Sequence, residues 1–413
     1  MKLMLLGSSR AQLNTIKRIQ SLGHAVVASD YLETSIGKSI ANDKYLASTF
    51  DYKSTLNGAT LKAVDGIMTM GTDQPVLTVA KVANALSLPS FLDIDTALAV
   101  TNKAVMKQKF IKHQIPTVDY ALYEPSNPSI LEKIKFPAVI KPLDSQGQRG
   151  IYVVNSTEEI EALYLDVLNY SREKTILVES YYANDEMTIS GWVENGQLKV
   201  LTITDRITFN SKDQIGICLS HEFPSKHTKK HGQDIINLSE KIVKDFGIKS
   251  GPIYFQFFLG NEGLKVNEIA CRIGGAYEDE FIPYLTGVDL LNMTIMGSLG
   301  LNYDTVSLIN HDPLLINKYL SVQLFFSKSC KICGMPTEDE IRKLEGVVNV
   351  GFNYNIGDVI PKTTNATQRI GYVIVTADSK LQLETRLTSL YENLNIIDEN
   401  NKNVIIYRKL GDL

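Results

Sequence analysis

The stretch Gly251–Tyr277 constrains the fold of this chain more than any other. It contains two extended, largely apolar runs, at 253–259 and 264–269, joined by the turn residues 260–263, Gly-Asn-Glu-Gly. Apolar runs on both sides of a Gly/Asn turn predict a β-hairpin. The chain must therefore contain a sheet that accepts this hairpin.

Three polar side chains in and after this hairpin indicate chemistry. Gln256 and Glu268 lie deep in its two arms, and Arg272 follows four residues after Glu268. A buried carboxylate is costly unless it meets a cation or a donor, and oxygen ligands on adjacent strands suit Mg²⁺. A guanidinium beside a metal carboxylate suits a transferring phosphoryl group. The alternative is an ordinary hairpin with a structural Glu–Arg pair.

Length and charge narrow the class of protein. A chain of 413 residues predicts two to four structural units. A net charge of -4 does not indicate the positively charged surface that binds nucleic acid. No apolar run approaches the roughly 20 residues that span a bilayer. The N-terminus resembles a first strand rather than a signal peptide, so we expect a cytoplasmic metabolic protein without a membrane partner.

The first 95 residues predict a doubly wound α/β domain. A buried strand at 2–6, a helical pattern from Leu13 and a strand at 25–29 ending at Asp30 form a βαβ unit. Only Gly7 of a G-x-G-x-x-G motif is present, which argues against a nicotinamide-dependent dehydrogenase. Polar residues after these strands, including Ser8 and Asp73, either line a substrate pocket or cap helices.

A second loop is suited to phosphate. The strand at 138–142 carries Lys141 into the loop 143–150, Leu-Asp-Ser-Gln-Gly-Gln-Arg-Gly, before another strand. Such a loop offers backbone N–H groups to anionic oxygens, and a lysine among apolar neighbours needs an anionic partner. Further along, Glu179 is predicted at the end of a strand and Glu186 just before the next. They could accept from adenine and ribose, or be solvated surface residues.

The ordered set of motifs resembles the ATP-grasp superfamily, and within it the carboxylate–amine ligases. The motifs are Asn102-Lys103, Lys141-Pro142 with the glycine loop, Glu179 to Glu186, and Gln256 followed by Asn267-Glu268-Ile269-Ala270-Cys271-Arg272. The resemblance implies a multi-domain α/β and α+β fold. Its parts would be the doubly wound α/β domain (1–95), an ATP-grasp domain (96–305) with a lid subdomain at about 113–185, and a small α+β cap (306–413). The cap resembles the terminal domain of biotin carboxylase and of purine-pathway and amino-acid ligases.

The resemblance also implies a role for each motif residue. Lys103 and Lys141 would contact the ATP phosphates, Gln256 and Glu268 would bind Mg²⁺ or Mn²⁺, and Arg272, with Lys141, would be catalytic. The residues implied to hold the rest of the nucleotide are Ser145, Gly147, Gly150, Glu179, Tyr181, Tyr182 and Glu186. The glycine loop and the polar stretch 210–214 would act as lids.

The implied reaction joins a small-molecule carboxylate to an amine through an acyl phosphate. The candidates for the substrate pocket are Arg206, His221, Gly274, Gly275 and Glu278. Arg206 would clamp a carboxylate, or pair with Asp205. The cluster Glu278-Asp279-Glu280 would attract an ammonium group, or form the first turn of a helix. The sequence leaves the oligomeric state open, and a homodimer would suit such an enzyme.

Two departures from the family pattern keep other functions open. Many relatives have Glu where this chain has Gln256, although Gln there resembles carbamoyl phosphate synthetase, and Ala270 replaces an Asn found in some relatives. A neutral amide supplies less charge to a metal. The alternatives are therefore a non-catalytic ATP-binding or sensor protein and a purine-pathway or bicarbonate-using carboxylase-type ligase.

Overall fold

The computed structural model describes residues 1–209 and 215–406. The polar stretch 210–214, predicted as a lid, lies outside the described residues. The chain divides into two compact units. The first contains Met1–Val118, Thr188–Thr202 and Lys230–Pro313, and the second contains Asp119–Met187, Ile203–Lys229 and the chain from Leu314 onward.

The N-terminal segment forms the predicted α/β domain. Its four strands are parallel, in the order β3-β2-β1-β4. Ser8 N donates to Asp30 Oδ2 at 3.0 Å beyond the carboxyl ends of β1 and β2. The elements, in chain order, are β1 (Lys2–Leu6), α1 (Leu13–Ser21), β2 (Ala25–Asp30), α2 (Ile36–Ile40), β3 (Asp43–Leu46), α3 (Tyr52–Leu61), β4 (Gly66–Thr69), α4 (Pro75–Leu86), α5 (Ile94–Ala99) and α6 (Lys103–Lys112).

The second unit begins with an antiparallel sheet in the order β5-β8-β6-β7, covered by one helix. The glycine loop connects β6 to β7. A short 3-10 helix, Pro128–Lys133, packs against β5. The elements are β5 (Tyr120–Tyr123), β6 (Ala138–Pro142), β7 (Tyr152–Val154), α7 (Thr157–Leu168) and β8 (Ile176–Ser180).

Two long strands follow, and each has residues in both units. They are β9 (Asn184–Glu194) and β10 (Gln197–Thr208). They are joined by Asn195-Gly196, whose φ angles of 52° and 77° are the positive values that a two-residue type I′ turn requires. Two boundary predictions were wrong here. Glu179 lies within β8 rather than at its end, and Glu186 lies within β9 rather than before it.

The predicted hairpin is confirmed in the first unit. Its strands pair antiparallel from Tyr254–Ala270 to Gly260–Gly263, and β9 is the next strand beside β12. The next elements along the chain are β11 (Cys218–Phe223), α8 (Thr228–Phe246), β12 (Gly251–Gly260), β13 (Gly263–Ala270), α9 (Glu278–Thr286), α10 (Leu290–Ser298) and α11 (Val306–Asn310).

The last segment is the predicted α+β part of the second unit. Its strands β14, β18 and β16 pair antiparallel in that order, and β14 also pairs antiparallel with β11, Cys218–Phe223, of the same unit. Leu387 and Leu390 of α13 pack into the same core as Val373 and Val375 of β18. The elements are β14 (Tyr319–Phe325), β15 (Cys330–Lys331), α12 (Glu338–Arg342), β16 (Val347–Phe352), β17 (Val359–Ile360), β18 (Gly371–Ala377) and α13 (Lys380–Asn393).

The mixed α/β, multi-domain fold class is thus confirmed, with parallel and antiparallel sheets. The three-domain boundaries stay a prediction. Within the described residues, no helix has both the length and the apolar character needed to cross a membrane.

Candidate active site

A β-bulge in the hairpin gathers three oxygen-bearing side chains. Gln256 lies directly opposite Glu268, and the register then shifts so that Asn267 is the extra residue. Asn267 Nδ2 donates to Gln256 Oε1 at 3.2 Å, and Gln256 Nε2 donates to the Tyr254 hydroxyl at 2.9 Å. The bulge therefore keeps the predicted metal residues Gln256 and Glu268 together and adds an amide beside them.

Lys103 approaches this group from the start of α6. Asn102 caps that helix by accepting from the backbone N–H groups of residues 104 and 105. Lys103 is buried, and its Nζ lies 3.5 Å from Glu268 Oε1. One carboxylate with neighbouring amide oxygens fits Mg²⁺, which uses few protein ligands and takes the rest from phosphate and water. The described residues contain no group of three or more acidic, His or Cys side chains suited to a metal.

Arg272 is held on both sides. Its guanidinium carbon lies 4.6 Å from the centroid of the Tyr254 ring, an arrangement that supports a cation on an aromatic face. Its Nε and Nη2 contact Asp73 Oδ1 at 2.7 and 2.6 Å. Asp73 follows β4, in the turn that was a candidate to line a substrate pocket, and that role stays a prediction. The sequence did not reveal the pairing, because 199 residues separate the two partners.

Glycines 274 and 275 allow the chain after Arg272 to pack closely. A Cβ on Gly275 would lie 2.6 Å from the carbonyl oxygen of Gly71, and one on Gly274 would lie 2.1 Å from the Glu278 carboxylate. Glu278 is in the first turn of α9, as the helix alternative predicted. Its Oε2 accepts from Ser190 Oγ at 2.7 Å and from Gly274 N at 2.9 Å. Burial raises the pKa of the Glu278 carboxyl.

In the second unit, Lys141 and Glu179 form a buried ion pair. Lys141 Nζ lies 2.5 Å from Glu179 Oε2. The pair is diagonal across β6 and β8, where Lys141 lies opposite Leu177 and Glu179 lies opposite Val139. The expected anionic partner of Lys141 is thus a neighbouring carboxylate in this structure. Two residues predicted to touch the nucleotide are therefore brought together.

The glycine loop is packed against other parts of the second unit. Ser145 is buried, and Gly147 and Gly150 have φ angles of 70° and 71° that favour glycine. The carbonyl of Gly147 accepts from Ala366 N at 3.2 Å. A Cβ on Gly150 would lie 2.7 Å from the ring of Tyr170. The loop backbone is thus fixed by these contacts.

Glu186 pairs with Arg206, which sequence reasoning had assigned to a different role. Glu186 Oε2 lies 2.5 Å from Arg206 Nη1, and Arg206 Nη2 donates to the carbonyl of Gly216 at 2.7 Å. The alternative pairing of Arg206 with Asp205 is wrong. Asp205 instead accepts from Ser225 Oγ at 2.6 Å and from the backbone N–H of residue 226 at 2.9 Å.

His221 lies directly opposite Arg206, on β11. Burial, together with the positive charges of Arg206 and Arg369, lowers the pKa of His221 to about 3. Its Nδ1 is 3.2 Å from Thr204 Oγ1. His221 is therefore neutral near pH 7 and offers no positive charge to a carboxylate.

The two tyrosines predicted near adenine follow β8. The backbone N–H of Tyr181 donates to the carbonyl of Pro137 at 2.9 Å, and the Tyr181 side chain is exposed. The carbonyl of Tyr182 accepts from Asn184 Nδ2 at 2.5 Å. A nucleotide would thus have to share or replace these backbone contacts.

Two family models match parts of this chain. Residues 134–279 match the family model of the ATP-grasp domain, and residues 324–399 match that of the L-amino acid ligase C-terminal domain 2. The L-arginine-specific L-amino acid ligase of Bacillus subtilis is 23% identical over 366 residues, covering 83% of this chain and 79% of that protein.

Solved structures agree on the fold. The crystal structure of an L-amino acid ligase from Bacillus licheniformis aligns with a TM-score of 0.81 at 18% identity, covering 97% of this chain and 99% of that chain. The biotin carboxylase domain of the Hydrogenobacter thermophilus 2-oxoglutarate carboxylase, solved with MgADP and bicarbonate, aligns with a TM-score of 0.75 at 18% identity, covering 96% and 90%. The chain therefore contains an ATP-grasp domain at residues 134–279 and an L-amino acid ligase C-terminal domain at residues 324–399.

Proposed function

We propose that this protein activates the carboxylate of an amino acid with ATP and joins it to an amine, forming an amide or peptide bond. The observation that carries the proposal is the hairpin of the first unit. There a bulge gathers Gln256, Asn267 and Glu268, Lys103 lies beside them, and Arg272 follows directly in the chain. Oxygen ligands, a lysine and a guanidinium are the groups that phosphoryl transfer to a carboxylate requires.

The reaction proceeds in two steps. A carboxylate oxygen of the substrate attacks the γ-phosphorus of ATP, the bond to the bridging oxygen breaks, and ADP leaves. The amine then attacks the acyl carbon, inorganic phosphate leaves with the electrons of the C–O bond, and the amine nitrogen loses its proton. Arg272 would stabilise the acyl phosphate and its tetrahedral successor, while Lys103 and Lys141 would neutralise the ATP phosphates.

Gln256 and Glu268 would hold Mg²⁺, or Mn²⁺ in its place, as the predicted metal residues. The ion supplies Lewis-acid neutralisation of phosphate charge when bound. In the second unit, Glu179, Glu186 and the backbone around Tyr181 and Tyr182 would hold adenine and ribose. The loop residues Ser145, Gly147 and Gly150 would cover the phosphates and exclude water from the acyl phosphate.

The choice of an amino acid as substrate is supported by the comparisons. The chain carries the C-terminal domain of L-amino acid ligases, and a Bacillus subtilis enzyme of that activity aligns with 83% of the chain. His221 and Arg206 were both candidates for the substrate pocket, but one is neutral and the other is engaged with Glu186. The residues after Arg272 are therefore the stronger candidates for binding the substrate.

The test is release of ADP from ATP and Mg²⁺ in the presence of single amino acids and pairs of amino acids. Wild-type protein should release ADP with at least one of them and form the matching dipeptide or amide. Glu268→Gln should lower that rate by about 100-fold or more, because it removes the one carboxylate that faces the ion.

Glu262→Gln is the matched control, since it makes the same substitution in the same hairpin. Glu262 lies at the turn, with a side chain 69% exposed, and pairs with Lys265. Its variant should keep the wild-type rate. Thermal stabilisation by ATP without ADP release under any combination would instead favour a nucleotide-binding sensor. ADP release only with bicarbonate would favour a carboxylase-type ligase.

A further inference from the structure

Glu278 has one carboxylate oxygen that accepts no hydrogen bond from residues 1–209 or 215–406. The residue is 1% exposed. Its Oε2 has two donors, Ser190 Oγ and Gly274 N, while its Oε1 has no hydrogen-bond partner among the described residues. A buried carboxylate oxygen without a donor is costly. We therefore expect Oε1 to accept a hydrogen bond from a ligand.

The residues that contact Glu278 and Arg272 lie on the neighbouring strands β9 and β12. Tyr254 and Gln256 are two residues apart, so their side chains lie on the same face of β12, about 7 Å apart along the strand. Gln256 faces Glu268, where the ion is expected, and the guanidinium of Arg272 lies over Tyr254. The next strand, β9, carries the residue that holds Glu278, namely Ser190.

The chain leading to Glu278 keeps its carboxylate close to Arg272. The carboxylate contacts Gly274, two residues after Arg272, so closely that a Cβ there would lie 2.1 Å from it. The positive charge of Arg272 also acts on Glu278, although the two side chains form no ion pair within the part of the chain that is described. Arg272 instead pairs with Asp73. The guanidinium of Arg272 and the carboxylate of Glu278 are thus attached to the same short segment of chain but engage different partners.

We propose that Glu278 binds the ammonium group of the amino acid whose carboxylate is activated beside Arg272. In an α-amino acid the ammonium and the carboxylate are attached to the same carbon, so the two charges lie close together. A guanidinium with a neighbouring carboxylate matches that pair of opposite charges. This inference rests on the proposed function and deepens it, since it restricts the carboxylate substrate to zwitterionic α-amino acids.

Glu278→Gln tests this assignment with little disturbance of the loop. The glutamine oxygen can still accept from Ser190 and from Gly274 N, so only the unused oxygen and the charge are lost. The variant is compared with wild type using the most active amino acid of the panel and its des-amino analogue, the same carboxylic acid without the ammonium group. ADP release gives kcat/KM for each compound.

Wild-type protein should favour the amino acid over its des-amino analogue by about 100-fold or more, since a site built around a polar group rejects compounds that lack it. In Glu278→Gln the KM for the amino acid should rise by about 30-fold or more, because the ammonium loses a buried charged partner. The kcat/KM for the des-amino analogue should stay within about threefold, so the preference largely disappears.

Glu194→Gln is the matched control, since it makes the same substitution on β9, the strand that carries Ser190. Glu194 Oε2 accepts from Trp192 Nε1 at 2.9 Å and from the Tyr303 hydroxyl at 3.1 Å. Its variant should keep the wild-type preference. If Glu278→Gln does not fold, Ser190→Ala removes one of the donors that orient Glu278 and should reduce the preference for the amino acid by about threefold or more.

The outcomes separate this inference from the proposed function. If wild type releases no ADP with any amino acid, the proposed function fails. If wild type is active but Glu278→Gln, or Ser190→Ala in its place, keeps the full preference for the amino acid, the ligase function stands. In that case Glu278 is a structural acid that holds the loop after Arg272, and the ammonium site is overturned.

Discussion

The two units hold their predicted site residues in different ways. In the second unit, acids and bases form close, buried pairs at 2.5 Å. We call these residues the strand-pair group: Lys141, Glu179, Glu186 and Arg206. In the first unit, amide and carboxylate oxygens gather at a bulge, and the one ion pair among them is longer, at 3.5 Å. We call these residues the hairpin group: Lys103, Gln256, Asn267 and Glu268.

Exposure divides the two groups only in part. The side chains of Lys141, Glu179 and Arg206 are 9%, 5% and 7% exposed, whereas those of Glu186 and Glu268 are 20% and 22% exposed. Removing the partner of a buried charge leaves that charge without compensation and destabilises the fold. A partly exposed carboxylate carries a smaller penalty and can accept an ion. We therefore expect the strand-pair group to contribute more to stability and the hairpin group to bind the metal.

The largest expected effect on stability is in the strand-pair group. Glu186→Ala should lower the free energy of unfolding by about 3 to 5 kcal/mol, because the buried guanidinium of Arg206 loses the carboxylate that pairs with it. Urea denaturation without nucleotide measures this directly. Asp185→Ala is the adjacent control. Asp185 has a side chain 47% exposed and pairs with Lys226 and His227 at the surface, so its loss should cost less than about 1 kcal/mol.

An equal, small cost for both variants would show that the Glu186–Arg206 pair does not hold the fold. A difference in stability between the two groups would then rest on the Lys141–Glu179 pair. A further variant, Glu186→Met with Arg206→Met, sharpens the result. It removes both charges and should be more stable than Glu186→Ala, since apolar side chains of similar size replace a buried pair at little cost.

Much of the fold could be predicted from local patterns. The hairpin β12–β13, the strand β6 and the helix α8 are each marked by strong periodicity and clear turn residues, and the structure has them where the patterns predict. Short or half-buried elements were missed, including β3, β5 and β11, because four to six residues of mixed polarity do not distinguish a strand from a loop.

The site was harder to predict than the fold. The sequence patterns indicated which charged side chains lie in buried strands, but they did not indicate which residues those side chains pair with. The pairs Arg272–Asp73 and Glu186–Arg206 join residues 199 and 20 positions apart, and only the tertiary fold brings them together. The bulge at Asn267 is likewise a property of the pairing of two strands, and it leaves no local pattern in either one.

The free energy of unfolding also depends on pH, because Asp279 binds a proton more tightly in the folded protein than in the unfolded chain. Burial raises its pKa from 3.8 to about 7, with further contributions from Glu280 and Glu278, while its bond from Asn14 opposes the shift. The folded protein therefore holds a proton that the unfolded chain releases. The stability from this proton is full below about pH 3.8 and is lost as the pH rises through 7, a change of up to roughly 4 kcal/mol.

Asp279→Asn should remove this dependence. Relative to wild type, the unfolding free energy of the variant should increase between pH 5 and pH 8, because a neutral amide has no proton to lose. Urea midpoints across that range measure the difference. A constant difference between the two proteins at every pH would show that Asp279 does not titrate near neutrality in the folded state.

The smallest expected effect concerns the neutral member of the hairpin group. Gln256→Glu adds a second carboxylate directly opposite Glu268. Without metal, two like charges facing each other on adjacent strands should lower stability by about 0.5 to 1 kcal/mol. With Mg²⁺ or Mn²⁺, the added charge should lower the half-saturating ion concentration for ADP release several-fold, since hard cations bind carboxylates more strongly than amides.

The two readouts must move in opposite directions for the hairpin group to be an ion site. Stability falls without the ion, and affinity for the ion rises. Gln256→Ala is the control, because it removes the amide without adding charge, and it should raise the half-saturating concentration instead. Gln256→Glu could instead change stability and leave the requirement for Mg²⁺ unaltered. In that case the oxygens gathered at the bulge serve the hairpin's structure. The two groups then no longer differ as residues that stabilise the fold and residues that bind a metal.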